Sequence, residues 1–268
     1  MEYKMNNITS EEKLEKIISA LEIEDYERAV ELAEELIKNE PENCKAYSYL
    51  GEALAGSGKH KEAIKAYEQA LKIDAEDIET LINLGDLYFE SGEPKEALKT
   101  YEKIIKIAPE DADAYVNIGL AYNNLERAED AIKAYNKALE LEPDNVFAYN
   151  ALGDLWYALG DQDKAIDSFK KGIEVDPNDA AAYFNLGELY YDLGDYEQAE
   201  KNYLKAVDLD ADYSLPYLSL GTLNMDRDNL TEATKYFKLY LKHEKSIQAR
   251  EMIEEVKAVL EGIKESQG

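Results

Sequence analysis

The chain has 268 residues, 45% of them apolar, and 58 Asp and Glu against 30 Lys and Arg leave a formal charge of −28. That charge disfavours nucleic acids and anionic membrane surfaces, which are bound through Lys and Arg, and no apolar run approaches the ~18–20 residues of a spanning helix. The single cysteine, Cys44, excludes an intrachain disulfide and a cysteine-built zinc cage.

Residues 1–9 carry no basic start followed by an apolar stretch, so they read as a flexible N-terminus rather than a signal peptide, and a cytoplasmic protein is expected. Thr9-Ser10-Glu11-Glu12 then offers a capping box for a helix running to about Ile23. Asp25-Tyr26-Glu27-Arg28-Ala29 opens a second helix, and Pro41 follows its end. Residues 10–43 are thus a degenerate copy of a pattern that becomes regular afterwards.

From Cys44 onward the chain repeats. Gly51, Gly85, Gly119, Gly153, Gly187 and Gly221 stand 34 residues apart. Leu50, Leu84, Ile118, Leu152, Leu186 and Leu220 precede them directly, and Tyr47, Tyr115, Tyr149, Tyr183 and Tyr217 stand four before, with Leu81 the exception. Alanine stands twelve after each glycine (Ala63, Ala97, Ala131, Ala165, Ala199, Ala233), and an aromatic four residues further on (Tyr67, Tyr101, Tyr135, Phe169, Tyr203, Phe237). Within each period apolar residues recur at three- and four-residue spacing in two runs, separated by turns such as Leu193-Gly194-Asp195, which predicts two helices per period. Pro109, Pro143 and Pro177 stop the second helix at one equivalent place. The glycine and alanine columns mark where helices pass too closely for larger side chains. Beyond the sixth period, Ile247 to Lys264 predicts one more helix, with Met252, Ile253, Val256, Leu260 and Ile263 on one face and Glu251, Glu254, Glu255 and Lys257 on the other. Such an end suits an array that must cover its last stacking face, and the array is expected to be complete.

Aromatic-x2-Leu-Gly-x2-Tyr, then Ala-x3-aromatic, then Pro closely resembles the tetratricopeptide repeat family. The expected fold is an all-α, right-handed superhelical solenoid of 34-residue helix-turn-helix repeats with a C-terminal capping helix. Its divisions would be 1–9, the degenerate repeat 10–43, six repeats (44–77, 78–111, 112–145, 146–179, 180–213 and 214–247), and the solvating helix and tail 248–268.

The resemblance implies that the first helices line a concave groove that binds peptides. The stripe facing that groove carries Glu52, Glu79, Asp86, Glu90, Asp113, Asp154, Glu188, Asp192 and Asp226, and only Lys45 among bases. A basic, partly apolar ligand is therefore expected. Asp86, Asp154 and Glu188 would meet its Lys or Arg, and Phe89, Val116, Leu120, Phe147, Tyr157, Phe184 and Tyr191 would offer anchors. Asn83, Asn117, Asn150 and Asn185 resemble the asparagine ladder by which the superhelix of O-linked GlcNAc transferase holds a peptide backbone, with Asn123 beside them. Tyr49, Ala151 and Ser219 interrupt that ladder. Three amide hydrogen bonds at a net of about 0.5–1.5 kcal/mol each give only millimolar binding, so micromolar affinity needs the anchors too. The chaperone carboxylate-clamp type of this family needs Lys and Arg on the stripe, so acidic chaperone C-terminal tails are not expected to bind.

Other motifs fail on their own chemistry. Gly56-Ser57-Gly58-Lys59 imitates a P-loop, but Ala53 and His60 stand where Gly and Ser or Thr are needed. Asp208, Asp210 and Asp212 imitate a calcium loop, but Tyr213 and Ser219 replace its Gly and Glu. No catalytic residue, metal or cofactor is expected. The reading is a non-catalytic adaptor, with a self-assembling scaffold that uses its terminal repeats as the alternative. Asn224, Asp228, Tyr240 and Lys245, which break the columns of the last repeat, motivate the latter.

Overall fold

The computed structural model describes residues 9–267, so the flexible start expected for 1–9 lies outside the described residues apart from Thr9, as does Gly268. The helices form two compact units, one ending at Leu141 and the other beginning at Glu142. The first unit holds α1 (Ser10–Glu22), α2 (Tyr26–Asn39), α3 (Cys44–Gly56), α4 (His60–Ile73), α5 (Ile78–Glu90), α6 (Pro94–Ile107), α7 (Ala112–Asn124) and α8 (Ala128–Leu141). The second holds α9 (Val146–Ala158), α10 (Gln162–Val175), α11 (Ala180–Asp192), α12 (Tyr196–Leu209), α13 (Leu215–Asp226), α14 (Leu230–His243) and α15 (Arg250–Gln267). No strand occurs among the described residues. In both units each odd-numbered helix up to α13 packs against the even-numbered helix that follows it, successive hairpins stack, and α15 packs on α14.

The periodic columns are packing contacts. A Cβ added at Gly51 or Gly187 would come within 2.6 Å of the ring of Tyr67 or Tyr203, and the four other glycines meet Tyr101, Tyr135, Phe169 and Phe237 in the same way. The alanines twelve residues after each glycine are fully buried. In the first hairpin the volumes are exchanged: Ile17 occupies the glycine column and Ala33 the aromatic column, both buried in one cluster. A large residue on α1 and a small one on α2 fill the space that a small and a large one fill elsewhere, consistent with dense packing of interiors.

The turns obey one conformational rule. Gly58, Gly92, Gly160 and Gly194 adopt positive φ at the residue after the C-cap, and Glu24, Glu126 and Asp228 adopt φ of 56–58° at the equivalent place. Thr9 caps α1 as the sequence predicts, accepting from the Glu12 N–H at 3.2 Å while its own N–H donates to Glu12 Oε2 at 2.9 Å. Asp25, Asn43, Asp111, Asn145, Asp161, Asp179, Asp195 and Asn229 cap later helices with side-chain oxygens.

The last helix begins at Arg250, three residues later than the apolar pattern predicts. Glu244 Oε1 accepts from the Ser246 N–H at 2.7 Å and Ser246 Oγ bonds Gln248 at 2.6 Å, so local side-chain bonds hold this stretch in a turn. Ile247 is left 87% exposed, whereas Val256 is buried in the cluster of Tyr217, Phe237 and Tyr240. The helix thereby covers the apolar side of the α13–α14 hairpin.

Candidate peptide-binding face

In the second unit the odd-numbered helices α9, α11 and α13 place equivalent residues side by side. The residue after each column glycine, Asp154 on α9 and Glu188 on α11, points toward the next odd-numbered helix. Asn185 Nδ2 donates to Asp154 Oδ1 at 3.3 Å, and Ser219 Oγ donates to Glu188 Oε1 at 2.7 Å. One turn further along, the Tyr157 hydroxyl donates to Asp192 and the Tyr191 hydroxyl donates to Asp226. Glu188 also accepts from Tyr203 on α12 at 2.6 Å. The result is a file of carboxylates joined from hairpin to hairpin by neutral donors.

The protonation states follow from these contacts. The bond to Asp192 and partial burial push the Tyr157 hydroxyl up to about 12, and Tyr191 is raised by the bond to Asp226 and by partial burial in the same way. Both stay neutral donors. Asp154 keeps an exposed edge, yet desolvation of its carboxylate pushes its pKa up to about 6. The charges that act on Tyr157 are those of Asp192 and Glu188, and Asp226 and Glu188 act on Tyr191 together with the neighbouring Tyr196.

The corresponding face of the first unit is built from α3, α5 and α7. Glu52 is raised by burial and by the charge of Glu79, and Asp86 accepts from the Tyr101 hydroxyl at 2.7 Å. Asn83 and Asn117 are half-buried and make no side-chain hydrogen bond among the described residues, which leaves their amides available. Leu120 takes the place after the glycine on α7 and is 37% exposed, with Asn123 exposed one turn on.

The anchor residues divide sharply. Phe147 is 76% exposed and Tyr157 39%. Val116 is buried, and Phe89 is half-buried against the core of its unit. Phe184 meets the rings of Tyr203 and Tyr213 at 6.0 and 5.3 Å, and Tyr191 meets Tyr196 at 5.4 Å. The asparagines divide as well. Asn185 is engaged by Asp154, and Asn150, one residue out of column, donates to the α11 cap Asp179 at 2.7 Å while its Oδ1 is buried against Gly172. Asn150 is thus an internal hairpin-to-hairpin contact. The pairing of Tyr157 with Asp192 and Tyr191 with Asp226 was legible only as two columns 35 residues apart, a spacing one longer than the repeat.

Among the described residues no three His, Cys, Asp or Glu side chains group to hold a metal ion, and no helix is long and apolar enough to cross a membrane. Sequence profiles described as tetratricopeptide repeat match residues 14–78, 54–119, 112–145, 134–167 and 180–213, and one described as TPR repeat matches 153–194. The chain belongs to the tetratricopeptide repeat family. A tetratricopeptide repeat protein from Parabacteroides merdae is 25% identical over 95% of this chain and 98% of that one, with a TM-score of 0.73. The protein MamA is 31% identical over 60% of this chain and 95% of its own, with a TM-score of 0.54. YrrB, described as a TPR protein with an unusual peptide-binding site, is 25% identical over 71% of this chain and 98% of its own, with a TM-score of 0.52. No curated protein matches the chain. Tetratricopeptide repeat proteins generally mediate protein–protein interaction, on a fold that is typically a non-catalytic scaffold.

Proposed function

We propose that the chain is a non-catalytic adaptor whose odd-numbered helices bind a basic, partly apolar segment of another protein. The observation that carries this reading is the file Asp154, Glu188, Asp192 and Asp226, bridged by tyrosine, asparagine and serine rather than by cations. Neutral donors satisfy some lone pairs but leave the charges uncancelled, so Lys or Arg from a ligand supplies the missing partner. Phe147, two turns before Asp154 on α9, is the exposed anchor, and Leu120 with the amides of Asn83 and Asn117 plays the equivalent part in the first unit. Burying one such side chain is worth about 1.5–3 kcal/mol, which carries an affinity that amide bonds alone leave near millimolar.

The test uses anisotropy of a labelled Lys- and Arg-rich peptide with one central aromatic residue. Asp154→Lys and Phe147→Ala alter exposed groups, and each should weaken binding by about tenfold, or roughly 1.4 kcal/mol. Asp154→Lys should also flatten the salt dependence. Affinity unchanged by both substitutions would sink the proposal.

The alternative of a self-assembling scaffold is favoured by Ile23, 75% exposed after α1, and by Ile247, 87% exposed before α15. Light scattering at rising concentration distinguishes them: growth in mass that Ile247→Ser abolishes supports the scaffold, and a constant monomer mass removes it.

A further inference from the structure

A different surface of the second unit runs against the charge of the whole chain. Between α10, α11 and α12 lies a groove of about 850 Å³. Lys170 comes from α10, Tyr183 and Tyr190 from α11, and Lys201, Leu204 and Lys205 from α12. Its only acidic lining residue is Asp208, which pairs with Lys205 at 3.3 Å. Lys170 Nζ lies 5.9 Å from the centre of the Tyr190 ring, and neither Lys170 nor Lys201 forms an ion pair among the described residues. Leu204 is 41% exposed.

The first unit contains the same groove two periods earlier in sequence, and it provides an internal comparison. There Tyr115 and Tyr122 stand for Tyr183 and Tyr190, and Lys133 and Lys137 for Lys201 and Lys205. Glu102, however, stands where the second unit has Lys170, and Asp130 where it has Gln198. Lys133 is paired with Asp130 at 3.4 Å and Lys137 with Glu140 at 3.0 Å, and the groove is only about 270 Å³. The tyrosine walls and two of the lysines therefore belong to the repeat. The pair Lys205–Asp208 repeats Lys137–Glu140, but the third lysine, the loss of the carboxylates at the Glu102 and Asp130 places and the larger volume belong to this one place.

We propose that the groove of Lys170, Lys201 and Lys205 is a second interaction site, which takes an acidic segment of a partner protein carrying one aromatic or large aliphatic side chain. The side chain would lie between Tyr183, Tyr190 and Leu204, and carboxylates on either side of it would meet the three ammonium groups. The volume leaves room for one such side chain with its flanking residues. The overall charge does not oppose the fit, because at about 0.15 M salt fields from charges beyond ~8 Å are screened and the local lysines dominate. The site is independent of the acidic face proposed above, since it draws on other side chains and seeks the opposite charge.

The experiment measures anisotropy of a labelled Glu- and Asp-rich peptide with one central Phe against the full chain. Saturable, salt-sensitive binding is expected. The exposed pair Lys170→Glu with Lys201→Glu should weaken it by about tenfold or more, while Lys133→Glu with Lys137→Glu in the compensated groove should leave it within about twofold. Replacing the peptide Phe by Ala should weaken binding comparably. Helical circular dichroism checks that the charge-reversed chain is folded, and Lys170→Gln with Lys201→Gln gives a milder variant that must also lose affinity. No saturable binding, or equal affinity of the Lys170 and Lys201 variants, overturns the site. A single-stranded oligonucleotide that displaces the peptide equally well overturns the peptide chemistry. Self-association that disappears in the same variants makes the occupant a second copy of this chain and overturns the assignment to a partner.

Discussion

At the scale of single residues, Asp154 and the pair Ile17 and Ala33 show how one side chain depends on its surroundings. Asp154 has its carboxyl pushed up to about 6 by desolvation, against an unfolded value near 3.9. Between these values the folded chain holds the extra proton, so Asp154 costs stability as pH rises from about 4 to about 6. Asp154→Asn should therefore raise the melting temperature at pH 7 and leave it unchanged near pH 3.5. The exposed edge of the residue screens the effect to on the order of 1 kcal/mol. Binding has the opposite sense: a Lys- or Arg-rich peptide needs the ionised form, so its affinity should fall as pH drops through about 6. A pH-independent affinity would remove Asp154 from the contact. Ile17 and Ala33 form the second case. Ile17→Gly alone should cost several kcal/mol through a cavity and lost helix propensity, and Ala33→Tyr alone should overpack the same space. Together they recreate the arrangement of the later hairpins, so the double variant should recover much of the loss in denaturant titrations. Additive losses would show that the two sites are not packed as one.

At the scale of elements, each hairpin is a unit of close approach closed by a left-handed turn. Glu126 holds that conformation between α7 and α8 at φ 58° with its side chain in solvent, whereas Gly92 and Gly160 fill the same place elsewhere. A side chain there costs about 1 kcal/mol that glycine avoids. Glu126→Gly should therefore raise the denaturant midpoint by a matching amount, and a lowered midpoint would mean that the flexibility gained by the unfolded chain outweighs the strain relieved. Most of this level was legible in the sequence, because a glycine opposite an aromatic, a capping Asp or Asn and a turn Gly act within a few residues of their own helices. What spacing could not separate was Phe147 from Phe89, or Asn117 from Asn150. The two phenylalanines fall at different places on the stripe facing the groove, six before one column glycine and four after another, and the two asparagines differ by one position; only the neighbouring helix determines which member of each pair is covered.

At the scale of the whole molecule, the net charge of −28 sets the electrostatics in solution. Ten of the thirteen ion pairs among the described residues are contacts three or four residues apart in sequence, and such pairs contribute little. A surplus of 28 negative charges then makes self-repulsion the larger electrostatic effect. Raising salt from about 0.01 to about 0.15 M shortens the screening length from ~30 to ~8 Å, so the melting temperature should rise. A fall would mean that the local pairs outweigh the repulsion. Charge sign and the number of hairpins followed from residue counts and from a period that repeats six times, because both are sums along the chain. The distribution of that charge did not. In one groove Lys133 pairs with Asp130 and Lys137 with Glu140, whereas in the other only Lys205 is paired, with Asp208, and Lys201 stands open beside Lys170; the same asparagine column is free at Asn117 and engaged at Asn185. The sequence by itself determined the helices, their pairing and their family, since those depend on contacts within one repeat. The tertiary structure alone decided which acids and amides stay unpartnered, because that depends on residues about 30 positions away, across the boundary between hairpins.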